Sequence, residues 1–265
     1  MSNNSIIPNS IKLFFARLKW FGKNYKKIHY NSELFYNIHG PLTYNTDGLA
    51  TSNNCDFISD PRFSSAYQHA VNTNPWPNFS LMWRVYTVCW FADHVKSLEG
   101  DFVECGVNTG AYSRAVIDYI DFNRTNKTFY LLDTYQGLDP RFITEEEKEL
   151  GISNYKYRDC YEEVVKTFAA FRTKIIRGAI PETLTQCETE KICYLSIDMN
   201  NMIPEIAALE YFWPKIVAHG VILLDDYGFP KHINQKTAFD DFAKKVGHEI
   251  YSMPTGQGLL IKKNN

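Results

Sequence analysis

The 265-residue sequence predicts an α/β fold, a doubly wound, seven-stranded, mostly parallel sheet with an antiparallel final strand. Three observations carry that expectation. From residue 80 onward, five short apolar runs alternate with stretches of helical length, the pattern of a parallel sheet covered on both faces. The last two apolar runs are separated only by PTGQ, about four residues, which allows a hairpin and excludes a parallel crossover. Glycines and acids gather at the carboxyl ends of the runs, where a doubly wound sheet binds its ligands.

The elements follow in order along the sequence. A helix over 80–100 stops at Gly100. Strand DFVECGV (101–107) leads into a helix near 110–121, and strand TFYLLD (128–133) follows. The acidic run EEEKE (145–149) is expected to be a solvated helix start. It precedes a helix near 159–171, strand KIIRG (174–178) and strand ICYLSID (192–198). A helix near 204–213, strand GVILLDD (220–226) and a helix near 233–246 lead to the closing strands at 248–253 and 258–263. This block, residues 80–265, reads as one domain built on the sheet. Residues 1–79 read as a basic helix and loop-rich extension or lid, with a short helix around 61–71.

Composition bounds the function. Hydrophobic residues are 45% and charged residues 22%, as in ordinary globular proteins, and the net charge of −2 gives no broad surface for nucleic acid. Residues 1–32 nevertheless hold six Lys or Arg and no acid, leaving −8 for the remainder. Within them, 9–28 has an amphipathic, basic pattern. It reads either as a helix that contacts a membrane surface or partner, or as one packed on the core with a solvated basic face. The six cysteines include no Cys-x-x-Cys, no run of 18 apolar residues occurs, and the N-terminal apolar residues are interrupted by charge. Those features favour a reduced, cytoplasmic protein.

The first strand runs into Glu104-Cys105-Gly106-Val107-Asn108-Thr109-Gly110, and the second ends at Asp133, twenty-seven residues beyond Gly106. A tight glycine turn followed by an acid on the next strand suits a nucleoside, the acid accepting both ribose hydroxyls. A pyrophosphate-binding loop would carry a glycine where Asn108 stands, and Glu104 would repel phosphate. The same acid favours a cationic ligand, which makes S-adenosyl-L-methionine the expected cofactor. Strands four and five end in Asp198 and in Asp225-Asp226. Carboxylates this close repel unless a cation joins them, and hard oxygen ligands suit Mg2+; helix capping or a solvated turn is the alternative. His232, in GFPKHINQK, is expected to face the acceptor and take a proton, and Lys231 to meet an acidic substrate; a solvated loop would explain both equally. Trp76 reads either as a wall of an acceptor cleft or as an anchor for the linker, and the anchor is favoured.

The segments GDFVECGVNTG, FYLLDTYQGL, IIRGAIPETL, YLSIDMN and VILLDDYG, followed by QKTAFDDF, resemble the macrocin O-methyltransferase family over roughly residues 80–263. The resemblance implies a class I methyltransferase fold, Rossmann-like, that methylates sugar hydroxyls. It implies that Glu104, Gly106 and Gly110 form the methyl-donor motif, that Asp133 binds the ribose, and that Arg177 and Gly178 lie beside the adenine. It also implies that Asp198, Asp225 and Asp226 ligate magnesium. After strand four the family carries Asp-Gly-Asp-Leu-Tyr, whereas this chain has Asp198-Met199-Asn200-Asn201-Met202; an amide such as Asn200 cannot serve as a base. The expected catalytic residues are therefore Asp198 and His232. The expected partner is a small-molecule acceptor, a sugar or glycoside hydroxyl, with no nucleic acid. Peripheral membrane contact through 9–28 and a homo-oligomer stay open. Two other classes share such a sheet: a nicotinamide-dependent oxidoreductase, against which Asn108 and Glu104 stand, and a non-catalytic nucleoside-binding module docked through the basic helix, against which the intact Asp198, Asp225 and Asp226 stand.

Overall fold

A computed structural model describes residues 33–264. The segment 9–28 lies outside the described residues. The chain divides into two compact units. The smaller, described from residue 33, comprises residues up to Asn45 with Ala50–Cys55 and includes a helical stretch at 33–39. The larger is Thr46–Leu49 with Asp56 onward, and it carries the sheet. Thr46–Leu49 is the tip of a hairpin whose strands are Tyr44–Thr46 and Leu49–Thr51. Among the described residues no helix is long and apolar enough to cross a membrane.

The sheet strands are β1 (Asp101–Cys105), β2 (Phe129–Asp133), β3 (Thr173–Arg177), β4 (Ile192–Ile197), β5 (Ile216–Leu224), β6 (Tyr251–Ser252) and β7 (Gly258–Ile261). Their spatial order is β3-β2-β1-β4-β5-β7-β6. The first five are parallel, while β7 pairs antiparallel with both β5 and β6. The antiparallel strand expected at the end of the sheet therefore lies one position in from the edge, between β5 and β6. The five-residue turn Met253–Gln257 makes that reversal, closed by Met253 N–H to the Gln257 carbonyl at 2.9 Å.

Alternation along the strands buries both faces. Phe102, Leu131, Val221 and Leu223 face one core, and Val103, Leu132, Ile222 and Leu224 face the other. The first core is covered by helices α1 (Pro61–Asn72), α2 (Met82–Val95), α3 (Ala111–Ile120) and, after the short α4 (Glu145–Glu149), by α5 (Tyr161–Phe168). In α2 the buried residues Val85, Val88, Cys89, Ala92 and Val95 recur at helical spacing, which is why this stretch forms a helix against the sheet. The second core is covered by α6 (Met202–Phe212) and α7 (Ile233–Lys245). Helix α1 starts at Asp60, whose side chain caps the Phe63 N–H, and it buries Phe63, Ala66, Tyr67 and Ala70.

The run 145–149 is the expected helix start and exposes four of its five residues, but Glu147 departs from expectation. The run forms a helix with a capping box between Thr144 and Glu147. Glu147 is only 1% exposed, and its second oxygen accepts the N–H of Met202 at 2.6 Å, the first residue of α6. A charge run that looked solvated thus holds the start of another helix, a contact fifty-five residues away.

Register levels the carboxyl ends. Cys105 pairs with Leu132 and Ile197, and Ile197 pairs with Leu224. The residues that follow, Gly106, Asp133, Asp198 and Asp225, therefore emerge side by side at one rim. The backbone ladder continues through them: Gly106 N–H to Leu132 O is 2.9 Å, Asp198 N–H to Cys105 O is 2.8 Å, and Asp225 N–H to Ile197 O is 3.0 Å.

Candidate active site

A cavity opens at that rim, lined among others by Glu104, Asn108, Asp133, Gly178, Asp198 and Asp226. Gly106 turns the chain with φ +90°, and a Cβ there would stand 1.8 Å from the Asp198 carbonyl oxygen. Only glycine lets the β1 loop pass the β4 loop so closely. Asp133 Oδ2 accepts the N–H groups of both Val107 and Asn108 at 2.6 Å, and Oδ1 accepts that of Tyr135 at 2.7 Å. The acid predicted to meet a ribose thus also ties the β1 loop to the β2 loop. Glu104 is buried beside it and takes a short hydrogen bond from the Ser113 hydroxyl of α3. Burial pushes its carboxyl up to about 8, and the nearby Asp133 and Asp225 add to that while Ser113 opposes it.

Two of the predicted donor residues stand away from the cavity lining. Gly110 is packed against the Phe168 ring of α5, where a Cβ would meet the ring at 2.4 Å. Arg177 turns outward, pairs with Asp159 at 2.7 Å and covers the Tyr161 ring. Gly178 does line the cavity, and so does Trp76, which the sequence suggested was a linker anchor. Trp76 is 44% exposed and meets Phe79 edge-on.

Opposite Asp133, Asp198, Asp225 and Asp226 each bring a carboxylate oxygen within 4.8 Å of the others. Asp225 accepts three hydrogen bonds: Oδ1 from the Tyr112 hydroxyl and from Gln257 Nε2, both at 3.0 Å, and Oδ2 from Arg84 Nη1 at 2.5 Å. Asp198 Oδ1 accepts from Asn200 Nδ2 at 3.2 Å. Asp226 Oδ2 is buried and has no hydrogen-bond partner among the described residues. Burial, then the neighbouring Asp225 and Asp226, push the Asp198 carboxyl well above the usual range. Asp226 is pushed up to about 6, by burial first and by Asp225, with His232 and Arg84 opposing. A buried orphan oxygen amid hard oxygen donors is what a divalent cation would satisfy, so the residues present fit magnesium.

His232 departs from expectation. It is 4% exposed and does not line the cavity. Its Nδ1 lies 2.7 Å from Gln235 Oε1 and 3.7 Å from Asp226, and its Nε2 lies 3.3 Å from the Tyr155 hydroxyl. It therefore backs Asp226 from behind and does not face an acceptor. The short helical turn Pro230–His232 draws it inward, which residue spacing in a polar stretch does not reveal. Sequence reasoning also passed over Arg84, Tyr112 and Gln257. The one local signal was a lone arginine beside the apolar stripe of α2; its partner lies 141 residues away.

Strand order, the lone antiparallel β7 and a cavity across the β1, β2 and β4 ends define a class I methyltransferase fold, Rossmann-like. The model of one family, Macrocin-O-methyltransferase (TylF), matches residues 87–252, and the chain belongs to that family of O-methyltransferases. Similar solved structures agree on the fold. The O-methyltransferase NovP is 18% identical with a TM-score of 0.60, over 74% of this chain and 88% of that one. CalS11, a calicheamicin methyltransferase, is 14% identical with a TM-score of 0.56, over 80% of this chain and 98% of that one. A second CalS11 structure, described as a TDP-rhamnose 3'-O-methyltransferase, is 16% identical with a TM-score of 0.51, over 76% and 95%. No curated protein sequence matches the chain.

Proposed function

We propose that this O-methyltransferase moves the methyl group of S-adenosylmethionine to a hydroxyl of a sugar, glycoside or similar small polyol, with magnesium held by Asp198, Asp225 and Asp226. The observation that carries the proposal is one cavity with two chemically distinct walls. Asp133 and the Gly106 turn form the nucleoside side, and three carboxylates with an orphan Asp226 oxygen form the acceptor side. The printed role of CalS11, on TDP-rhamnose, supports a sugar as the acceptor class.

When bound, S-adenosylmethionine supplies an electrophilic methyl on a sulfonium, and magnesium supplies a Lewis acid for the acceptor hydroxyl. The chain's own groups do the rest. Asp133 accepts two N–H groups on Oδ2 and one on Oδ1, so it holds the loop in shape and keeps one Oδ1 lone pair for a ribose hydroxyl. Glu104 presents a carboxyl to the cationic side of the donor, and Gly178 lines the cavity where the adenine lies in this reading. Arg177 acts one step removed, bracing Asp159 and Tyr161. Asp198, oriented by Asn200, receives the hydroxyl proton as the oxygen–carbon bond forms and the carbon–sulfur bond breaks. His232 positions Asp226. Alignment of the two reactants supplies much of the rate in such a transfer.

Calorimetric titration with S-adenosylmethionine, with reduced nicotinamide cofactor as control, tests the donor. Micromolar binding of the first alone is expected, and methyl transfer to a panel of glycosides in the presence of magnesium should follow. Failure to bind S-adenosylmethionine under any condition would overturn the proposal.

A further inference from the structure

Arg84 is the least expected member of the site. Its side chain is 12% exposed and carries two carboxylates at once. Nε and Nη2 grip Asp47 at 2.6 and 2.8 Å, and Nη1 holds Asp225 Oδ2 at 2.5 Å. The remaining Asp225 oxygen is already engaged by Tyr112 and Gln257. Asp47 stands at the hairpin tip with φ +54° and is itself 13% exposed. A guanidinium buried this way is a planar fork with fixed reach, so it bridges two acids only if both are held where the fork points.

We infer that Arg84 is a positioning residue that competes with the site's cation for Asp225, and that Asp47 is the partner that keeps the guanidinium in place when the cation takes over. This rests on the cation reading above and goes beyond it, because it assigns the state of the acid cluster before loading. Three carboxylates within 4.8 Å repel one another. In the structure the Arg84 charge offsets that repulsion at Asp225, while Asp226 Oδ2 has no hydrogen-bond partner among the described residues and faces His232 Nδ1 at 3.7 Å. A cation that draws on Asp225 Oδ2 stands beside the guanidinium there, and like-charge repulsion loosens one of the three contacts of Arg84. The guanidinium then keeps its bidentate pair with Asp47, so it is never left buried and unpaired, which would be strongly unfavourable. Asp47 therefore lowers the cost of the loaded state, whereas Arg84 raises it.

The two substitutions are expected to act in opposite directions on cation affinity, although both break the same ion pair. Mn2+ serves as the probe, with free Mn2+ read by electron paramagnetic resonance on the full chain without donor or acceptor. Arg84→Met is expected to tighten Mn2+ binding roughly tenfold and Asp47→Asn to weaken it about threefold or more, within the range for coupled neighbours. Removing or adding charge near any cation would move affinity the same way, so a double-mutant cycle decides. In an Asp225→Asn background the effect of Arg84→Met should shrink to less than about twofold, because the contested oxygen is no longer charged. A tenfold effect that persists in that background, or an Arg84→Met protein with wild-type affinity, overturns the inference while the cation site stands. If neither wild type nor Arg84→Met binds Mn2+, the cation reading and the inference both fall. Binding by Arg84→Met alone supports the competition in its strongest form. Should Arg84→Met not fold, Arg84→Lys carries the test, since one ammonium cannot bridge both acids. Tighter Mn2+ binding than wild type is then expected, and unchanged binding overturns the inference.

Discussion

Replacing Asp133 with alanine separates two roles that one side chain combines. The carboxylate accepts three backbone N–H groups, from Val107 and Asn108 at 2.6 Å and from Tyr135 at 2.7 Å. Hydrogen bonds to a charged group contribute about 1.5–3 kcal/mol each when buried. Asp133 is only partly buried, so water replaces some of the lost contacts, and the summed cost falls to about 2–4 kcal/mol. For a domain of this size each kcal/mol moves the melting temperature by about 2–4 °C, which gives a drop of roughly 5–15 °C. Thermal unfolding of Asp133→Ala without any ligand measures this directly. Asp133→Asn, which keeps one acceptor oxygen, should lose about half as much. A ligand-free Asp133→Ala protein that melts within about 2 °C of wild type would refute the loop-tying argument. Any loss of donor binding in it would then be due to the ribose contact alone.

Gly106→Ala should destabilise by about 2–4 kcal/mol from left-handed strain and overpacking. It should also abolish donor binding, because the new Cβ meets the Asp198 carbonyl; urea titration and calorimetry check both, and a stable binder would contradict the close approach. Glu104, pushed up to about 8 by burial, holds a proton in the folded chain that the unfolded chain has released above about 4.5. The folded state binds more protons across that window, so stability falls as pH rises from about 4.5 to 8. Between pH 5.5 and 7.5 wild type should lose up to about 3 kcal/mol relative to Glu104→Gln, by urea titration at both pH values. Parallel curves for the two proteins would count against a raised Glu104. Glu147→Ala should lower stability by about 2–4 kcal/mol, since it frees the Met202 N–H and breaks the Thr144 capping box. A melting point unchanged from wild type would show that α6 starts without that contact.

Much of this protein is legible in one dimension. Val, Ile, Leu and Phe runs of strand length mark β1 to β5, because a strand buried on both faces must be apolar throughout. The closing hairpin follows from loop length, and the glycines and acids at the run ends mark the ligand rim, because the chain delivers Gly106, Asp133, Asp198 and Asp225 directly from neighbouring strands. Whether β7 lies at the edge or one position in was decided by pairing, which depends on contacts between segments distant in sequence. The same holds for the groups behind the first row of the site. His232 sits in a polar stretch and Glu147 in an acidic run, and both are buried because partners far along the chain close over them. Arg84 pairs with Asp225 and Asp47 through contacts 141 and 37 residues long. A carboxylate's position at the end of a strand is a local property of the backbone. Which cation or donor it faces depends on packing, and only the tertiary structure could decide that.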